Sequence, residues 1–234
     1  MSKRIVTILT LLALTIAAAT LGATMIKGAN NNMPTQTELN SALITAAAHG
    51  DTAEVHRLLR QGASVTATDD QGRTALIAAA YGDHLAVARL LIQAGADVNT
   101  QDNSRQSAYL IPTADGSLDF LRLTLQSGAN VHRLDSYNGT GLIRAADRGH
   151  VAIIRELLTT DIAIDHVNRL GWTALLEAII LGNGGPNHTE VVRLLVAAGA
   201  NVNLADRDGT TPLAHAQRRN FPEIIAILKS ANAR

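Results

Sequence analysis

The stretch that decides the fold runs Asp69-Asp70-Gln71-Gly72-Arg73-Thr74-Ala75-Leu76-Ile77-Ala78-Ala79-Ala80. It closes, after His84, on Leu90-Leu91-Ile92-Gln93-Ala94-Gly95-Ala96-Asp97-Val98-Asn99. Its parts return along the chain at a fixed step. Leu43, Leu76, Tyr109, Leu142 and Leu175 each stand 33 residues after the one before, and Leu213 follows after 38. Gly62, Gly95 and Gly128 keep the rhythm 19 residues further on, Asp161 takes the fourth slot, and Gly199 stands 24 after Leu175. Such a period marks stacked helix–helix–hairpin units, none of which can bury its apolar face alone. The residue types fit that reading. A threonine at the start of the first helix can accept a bond from an orphan N–H. Alanines let neighbouring first helices approach closely, paired leucines bury the second helix, and a glycine after it supplies the left-handed cap. Neighbouring units are therefore expected to stack into one continuous core.

The fifth unit repeats the recurring positions of the second: Asn168, Gly171, Thr173, Ala174 and Leu175, then His188, Val191, Val192, Leu194 and Leu195, closing on Gly199, Ala200, Asn201, Val202 and Asn203. This pattern resembles the ankyrin repeat, whose form is Asp-x-x-Gly-x-Thr-Pro-Leu, two alanines, Gly-His, paired leucines and a Gly-Ala-Asp-Val-Asn close. Only Thr211-Pro212-Leu213 keeps the proline; elsewhere that slot holds Ala or Gly. The resemblance covers about residues 38–234 and implies an all-α repeat solenoid of about six repeats, at 38–68, 69–101, 102–134, 135–167, 168–205 and 206–234. It also implies a non-catalytic protein–protein interaction module, meeting its partner on the concave face made by hairpin tips and first helices. The run Gly171-Trp172-Thr173-Ala174-Leu175-Leu176-Glu177-Ala178-Ile179, followed by Gly184-Gly185, is similar to small bacterial ankyrin-repeat proteins with an extended fifth repeat.

Composition narrows the partner. The chain has 20 basic and 20 acidic side chains, and this neutrality argues against nucleic acid, whose binding needs clustered cations to neutralise phosphate. The absence of cysteine excludes disulfides, zinc thiolate sites and thiol catalysis. No His-Glu-x-x-His or Gly-x-Ser-x-Gly pattern occurs, so no enzyme activity, cofactor or metal is expected. A protein partner and a monomeric state are.

The N-terminus differs from the rest. Ser2, Lys3 and Arg4 form a basic start, Ile5 to Ile26 carries no charge, and Ala17-Ala18-Ala19 offers a small-residue cleavage site. Residues 1–27 read as a secretory signal or as an uncleaved anchor, and 28–37 as a flexible tether. The repeat domain is then expected to be periplasmic or secreted, or held in the periplasm by an inner-membrane anchor. Membrane contact is expected only through that first segment.

Departures from regularity point to the site. The third repeat has Arg105 in place of the turn glycine, and Pro112 in an alanine slot, where it should kink or shorten the first helix. The fifth carries the extra residues Asn183-Gly184-Gly185-Pro186-Asn187 between its helices; without a preceding strand or a following Gly-Lys-Ser/Thr, this loop does not read as a phosphate site. Polar Glu54 and Arg57 replace the apolar second-helix residues of the inner repeats, as suits an N-terminal cap. Trp, Tyr and Arg dominate binding hot spots. Trp172, Leu170, Leu181 and Tyr137 are therefore the expected anchors, with Ile180 beside them and Arg105, Arg148 and Arg219 supplying charge. An inhibitor or immunity-type protein is one specific form of this reading. The alternative is small-ligand binding or catalysis on the irregular surface of the third to fifth repeats, using Arg105, Arg144, Glu177 and the glycine loop. Arg89, Arg122, Arg155 and Arg193 recur at one position of the second helices and read as a solvated ladder. His84, His150 and His188 read as backbone clamps between repeats rather than metal ligands.

Overall fold

The computed structural model describes residues 33–234. The expected leader at 1–27 lies outside them, as does half of the expected tether, 28–32. Helix begins at Gln36, so the last two tether positions, Gln36 and Thr37, already belong to the repeat unit, Gln36–Arg234. Among the described residues twelve α-helices form six pairs: α1 (Gln36–Ala48) with α2 (Thr52–Arg60), α3 (Ala75–Tyr81) with α4 (Leu85–Gln93), α5 (Leu110–Asp115) with α6 (Leu118–Gln126), α7 (Gly141–Arg148) with α8 (Val151–Leu157), α9 (Ala174–Ile180) with α10 (Pro186–Ala197), and α11 (Pro212–Arg218) with α12 (Pro222–Ser230). Each first helix packs on the first helix of the next pair and each second helix on the next second helix. No strand occurs among the described residues; the hairpins reach only isolated bridges at Thr68–Thr74 and Gln101–Ser107.

The recurring residues do what their chemistry allows. The hydroxyls of Thr74, Thr140, Thr173 and Thr211 accept from the N–H three residues on, at 3.3–3.4 Å, and cap α3, α7, α9 and α11. Each second helix but one closes on a backbone bond such as Ala96 N–H to Leu91 O, 2.9 Å, made across a residue of positive φ. The exception is the fourth repeat, where Asp161 fills the glycine slot without a positive φ. There the Thr160 hydroxyl bridges the gap, accepting from Ile162 N–H and donating to Leu157 O at 2.6 Å. His84, His150 and His188 set Nε2 2.9–3.0 Å from the carbonyls of Ala48, Ala114 and Asp147, each the matching residue of the preceding first helix.

Pro112 shortens its helix as expected. Without an N–H it offers nothing to the Ala108 carbonyl, and α5 starts two residues later than its register predicts, with six residues in all. The core does not run unbroken through this repeat. Ala108, Ile111, Phe120 and Leu123 join the apolar cluster of the first two repeats, whereas Tyr109, Leu110 and Leu121 join that of the last three. Only the half-buried Ala129 packs against both. Tyr109 is fully buried in a slot that elsewhere holds leucine, and Gly141 makes room for it. A Cβ on Gly141 would lie 2.7 Å from the Tyr109 hydroxyl.

The insertion is also used differently from its sequence appearance. Pro186 takes the first position of α10, where its missing N–H costs nothing, and Pro186 and Asn187 extend that helix to twelve residues. Only Asn183–Gly185 remains as loop. On the second-helix face, Arg122 pairs with Glu156 of the next repeat at 2.8 Å, and Arg155 pairs likewise with Glu190, which Arg193 also contacts. These are exposed pairs, worth about 0–1 kcal/mol each. At the N-terminal end, Glu54 and Arg57 pair with each other at 2.5 Å.

Candidate functional site

Every inner hairpin opens on an Asp or Asn whose side chain organises the turn. Asp135 Oδ1 accepts from Tyr137 and Gly139 N–H, each 2.8 Å, and Asn168 Oδ1 accepts from Leu170 and Trp172 N–H at 2.9 and 3.1 Å. The bonds fix the hairpin tips, and with them the direction in which Tyr137 and Leu170 project. In the last three repeats the remaining polar atom of the Asp or Asn faces the first helix, nine residues on, whereas Asp69 Oδ2 accepts from Arg73 of its own hairpin and Asp102 Oδ2 from the Tyr81 hydroxyl. Asp135 Oδ2 meets Arg144 Nη1 at 3.0 Å, and Asp206 Oδ2 meets His215 Nε2 at 2.7 Å. In the fifth repeat the polarity is inverted: Asn168 Nδ2 donates to Glu177 Oε1 at 2.6 Å.

The hairpins and first helices of the fourth and fifth repeats enclose a cavity of about 280 Å³. Its floor includes Asp135, Arg144, Asn168 and Glu177; its rim includes Tyr137, Asp147, Arg148, Leu170 and Leu181. Tyr137 is 61% exposed, Leu181 50% and Leu170 45%, three of the six large apolar side chains that the described residues leave in solvent. Glu177, at the floor, is only 4% exposed. Burial pushes its carboxyl up to about 7; the Asn168 bond opposes that shift, and the charges of Asp147 and Asp135 add to it. Asp206 shows the opposite balance. Burial raises its carboxyl, but the Thr210 N–H, the His215 bond and the Asp208 N–H together hold it below the ordinary carboxylate range.

Four of the expected contact residues, Tyr137, Arg148, Leu170 and Leu181, thus meet at one cavity. Trp172 is half-buried in the same hairpin as Leu170 but does not line it, and half-buried Ile180 ends α9. Arg105 stands exposed on the third hairpin with φ 62°, away from the cavity. Arg219 has a structural use. Its guanidinium donates to the carbonyls of Ile180 and Gly182 at 2.6 and 2.7 Å and lies 4.9 Å over the Phe221 ring. It does in the sixth repeat what the recurrent histidine does elsewhere. Phe221 in turn packs on the loop, where a Cβ on Gly184 would come within 2.3 Å of its ring. Of the alternative set, Arg144 and Glu177 share the cavity, whereas Arg105 and the glycine loop do not reach it. No cluster of His, Asp and Glu able to hold a metal ion occurs among the described residues, and none of their helices is long and apolar enough to cross a membrane.

The family model for ankyrin repeats, built of three copies, matches residues 14–102 and 110–206. The chain belongs to the ankyrin-repeat family. The gap between the two matches falls on the third hairpin and the delayed start of α5. A curated ankyrin-repeat protein of Escherichia coli (strain K12), YahD, is 44% identical over 90 residues, which cover 38% of this chain and 45% of that protein. The chain therefore spans less than half the length of this relative. Among solved structures, an ankyrin repeat domain from Acinetobacter baumannii AYE is 48% identical with a TM-score of 0.79, over 82% of this chain and 98% of that one. The ankyrin repeat protein EF0377 is 33% identical with a TM-score of 0.78, over 81% and 97%. Ankyrin repeats are generally protein-interaction modules, and that is the class of this domain.

Proposed function

We propose that the protein is a non-catalytic binding module of the bacterial periplasm that holds a protein partner on the hairpin and first-helix face of its fourth and fifth repeats. The observation that carries the reading is the clustering of exposed Tyr137, Leu170 and Leu181 around one cavity. Monomeric proteins rarely leave grouped apolar side chains in water without a use for them, and aromatic anchors over a desolvated pocket are the usual centre of an interface. Export rests on the basic start and uncharged run of residues 2–26. An inhibitor of an enzyme or toxin acting in that compartment is the specific form we favour.

Affinity capture from periplasmic extract, comparing wild type with Leu170→Asp and Trp172→Ala, tests the reading. Loss of the same partner with Leu170→Asp supports it, and recovery of every partner by both variants overturns it. Mass spectrometry of the mature N-terminus tests export separately. A small ligand in the same cavity is the second reading, favoured by a buried carboxyl that titrates near 7. It predicts a ligand-dependent rise in Tm that Glu177→Ala removes.

A further inference from the structure

The fifth repeat carries a carboxylate for which the fold supplies no cation. In the fourth and sixth repeats the first helix answers the hairpin carboxylate with a basic side chain, Arg144 on Asp135 and His215 on Asp206. In the fifth, Asn168 is neutral and the helix bears Glu177, whose bond among the described residues comes from the Asn168 amide. Around the cavity, Asp135 is paired with Arg144 at 3.0 Å and Asp147 with Arg148 at 3.2 Å. Three carboxylates thus face two guanidinium groups, and the group left over, Glu177, is buried. The field at Glu177 is negative as well, since the charges that act on it are those of Asp147 and Asp135.

Charge and shape together specify an occupant. A volume of about 280 Å³ lies just below the range of ~300–1,000 Å³ usual for small-molecule sites, and suits a single side chain. Tyr137, Leu170 and Leu181 make its rim apolar and aromatic beside the Asp147–Arg148 pair, and its floor carries two carboxylates, Asp135 and Glu177, to one guanidinium, Arg144. A long side chain with an apolar stem and a cationic head fits that gradient. Arginine fits better than lysine, because its planar head can lie on the Tyr137 ring and its weaker hydration lowers the cost of entry. We propose that this cavity takes an arginine side chain from the protein partner, its guanidinium against Glu177 and its stem between Tyr137, Leu170 and Leu181. The proposal rests on the reading that this face binds protein.

The test follows the Glu177 carboxyl by 13C NMR in the full protein, with N-acetyl-arginine amide as probe and N-acetyl-citrulline amide as its uncharged counterpart. At about tenfold its Kd, the arginine probe should lower the Glu177 midpoint by about one pH unit, because it binds the carboxylate in preference to the acid. The citrulline probe should leave it in place. Glu177→Gln, which keeps an acceptor for Asn168, should weaken the arginine probe about tenfold with an unchanged circular dichroism spectrum. An unmoved midpoint, or an equal shift with citrulline, overturns the proposal. Capture with Glu177→Gln beside Leu170→Asp separates the two readings. If only Leu170→Asp loses the partner, the face binds protein and the arginine site is wrong. If both variants keep every partner, the face itself is wrong. If both lose the partner and the probe shifts Glu177, the proposal stands.

Discussion

Gly141→Ala examines the central irregularity of the stack. The added Cβ would sit 2.7 Å from the Tyr109 hydroxyl, 2.9 Å from Thr113 Cγ2 and 3.3 Å from Tyr109 Cζ, against ~3.5–4.0 Å for ordinary carbon contacts. Tyr109 is fully buried and cannot swing aside, and the Thr113 hydroxyl is fixed by a 2.6 Å bond to Leu110 O. Overpacking of this kind typically costs about 1–3 kcal/mol. Alanine regains less than the ~1 kcal/mol of an interior helix site, since Gly141 is the first residue of α7. A net loss of about 1–2 kcal/mol follows. Tyr109→Leu alone should cost about 2–4 kcal/mol through the void it leaves. In that background Gly141→Ala should cost less, because the ring it strikes is gone and only the Thr113 Cγ2 contact remains, for a coupling energy of about 1–2 kcal/mol. The assay is a double-mutant cycle by urea unfolding. It is read by far-UV circular dichroism and by Trp172, the single tryptophan of the chain, which lies in the fifth repeat. A coupling below about 0.5 kcal/mol, or a stabilised Gly141→Ala, would refute the argument.

Further expectations concern Glu177, Arg219 and the two misplaced turn residues. The Glu177 carboxyl rises from 4.5 to about 7 on folding. The native state therefore holds the extra proton in that window, and stability should fall as pH rises from about 4.5 to 7. Glu177→Gln should flatten this slope and be more stable than wild type at pH 8 by up to about 3 kcal/mol, at 1.36 kcal/mol per pH unit; urea melts at both ends of the window check it, and parallel slopes would contradict it. Arg219→Met removes two bonds to carbonyls, so amide hydrogen exchange in α11 and α12 should speed up while that in α3 and α4 is unchanged, with a loss of about 1–2 kcal/mol. Arg105→Gly relieves a left-handed backbone and should stabilise by about 0.5–1 kcal/mol. Asp161→Gly should bring no gain, because that residue has no positive φ to relieve; thermal melts of the pair decide between these outcomes.

The repeat register was fully legible, because each recurring side chain acts locally. The threonine caps, the closing glycines and the clamping histidines work within a turn or on the next unit. Pro112 was legible for the same reason. Pro186 carried a signal that the loop reading passed over, since proline favours the first turn of a helix. Arg219 was hidden because it stands two residues before the histidine slot, which Phe221 fills in the sixth repeat. The cavity was half legible. Tyr137, Leu170 and Leu181 stand out as apolar residues at exposed positions, and the nine-residue spacing of Asp135–Arg144, Asn168–Glu177 and Asp206–His215 was there to be noticed. What sequence could not give was the gathering of Asp135 and Asp147 near Glu177. That depends on the distance between stacked repeats, a quantity set by the packing of α7 on α9 rather than by any motif.

The divided core has a consequence for the order in which the chain can fold when its N-terminal end emerges first. The first two repeats share their apolar cluster with Phe120 and Leu123, so they stay incomplete until the third repeat has emerged. At that moment Tyr109, Leu110 and Leu121 present a fresh apolar surface whose partners, beginning with Leu142 and Ile143, are still to come. Gly141 emerges just before them, and the bulk of Tyr109 is tolerable only because that residue brings no side chain. The fourth repeat therefore docks on a template already laid down, and the cavity that it forms with the fifth is among the last features of the fold to appear.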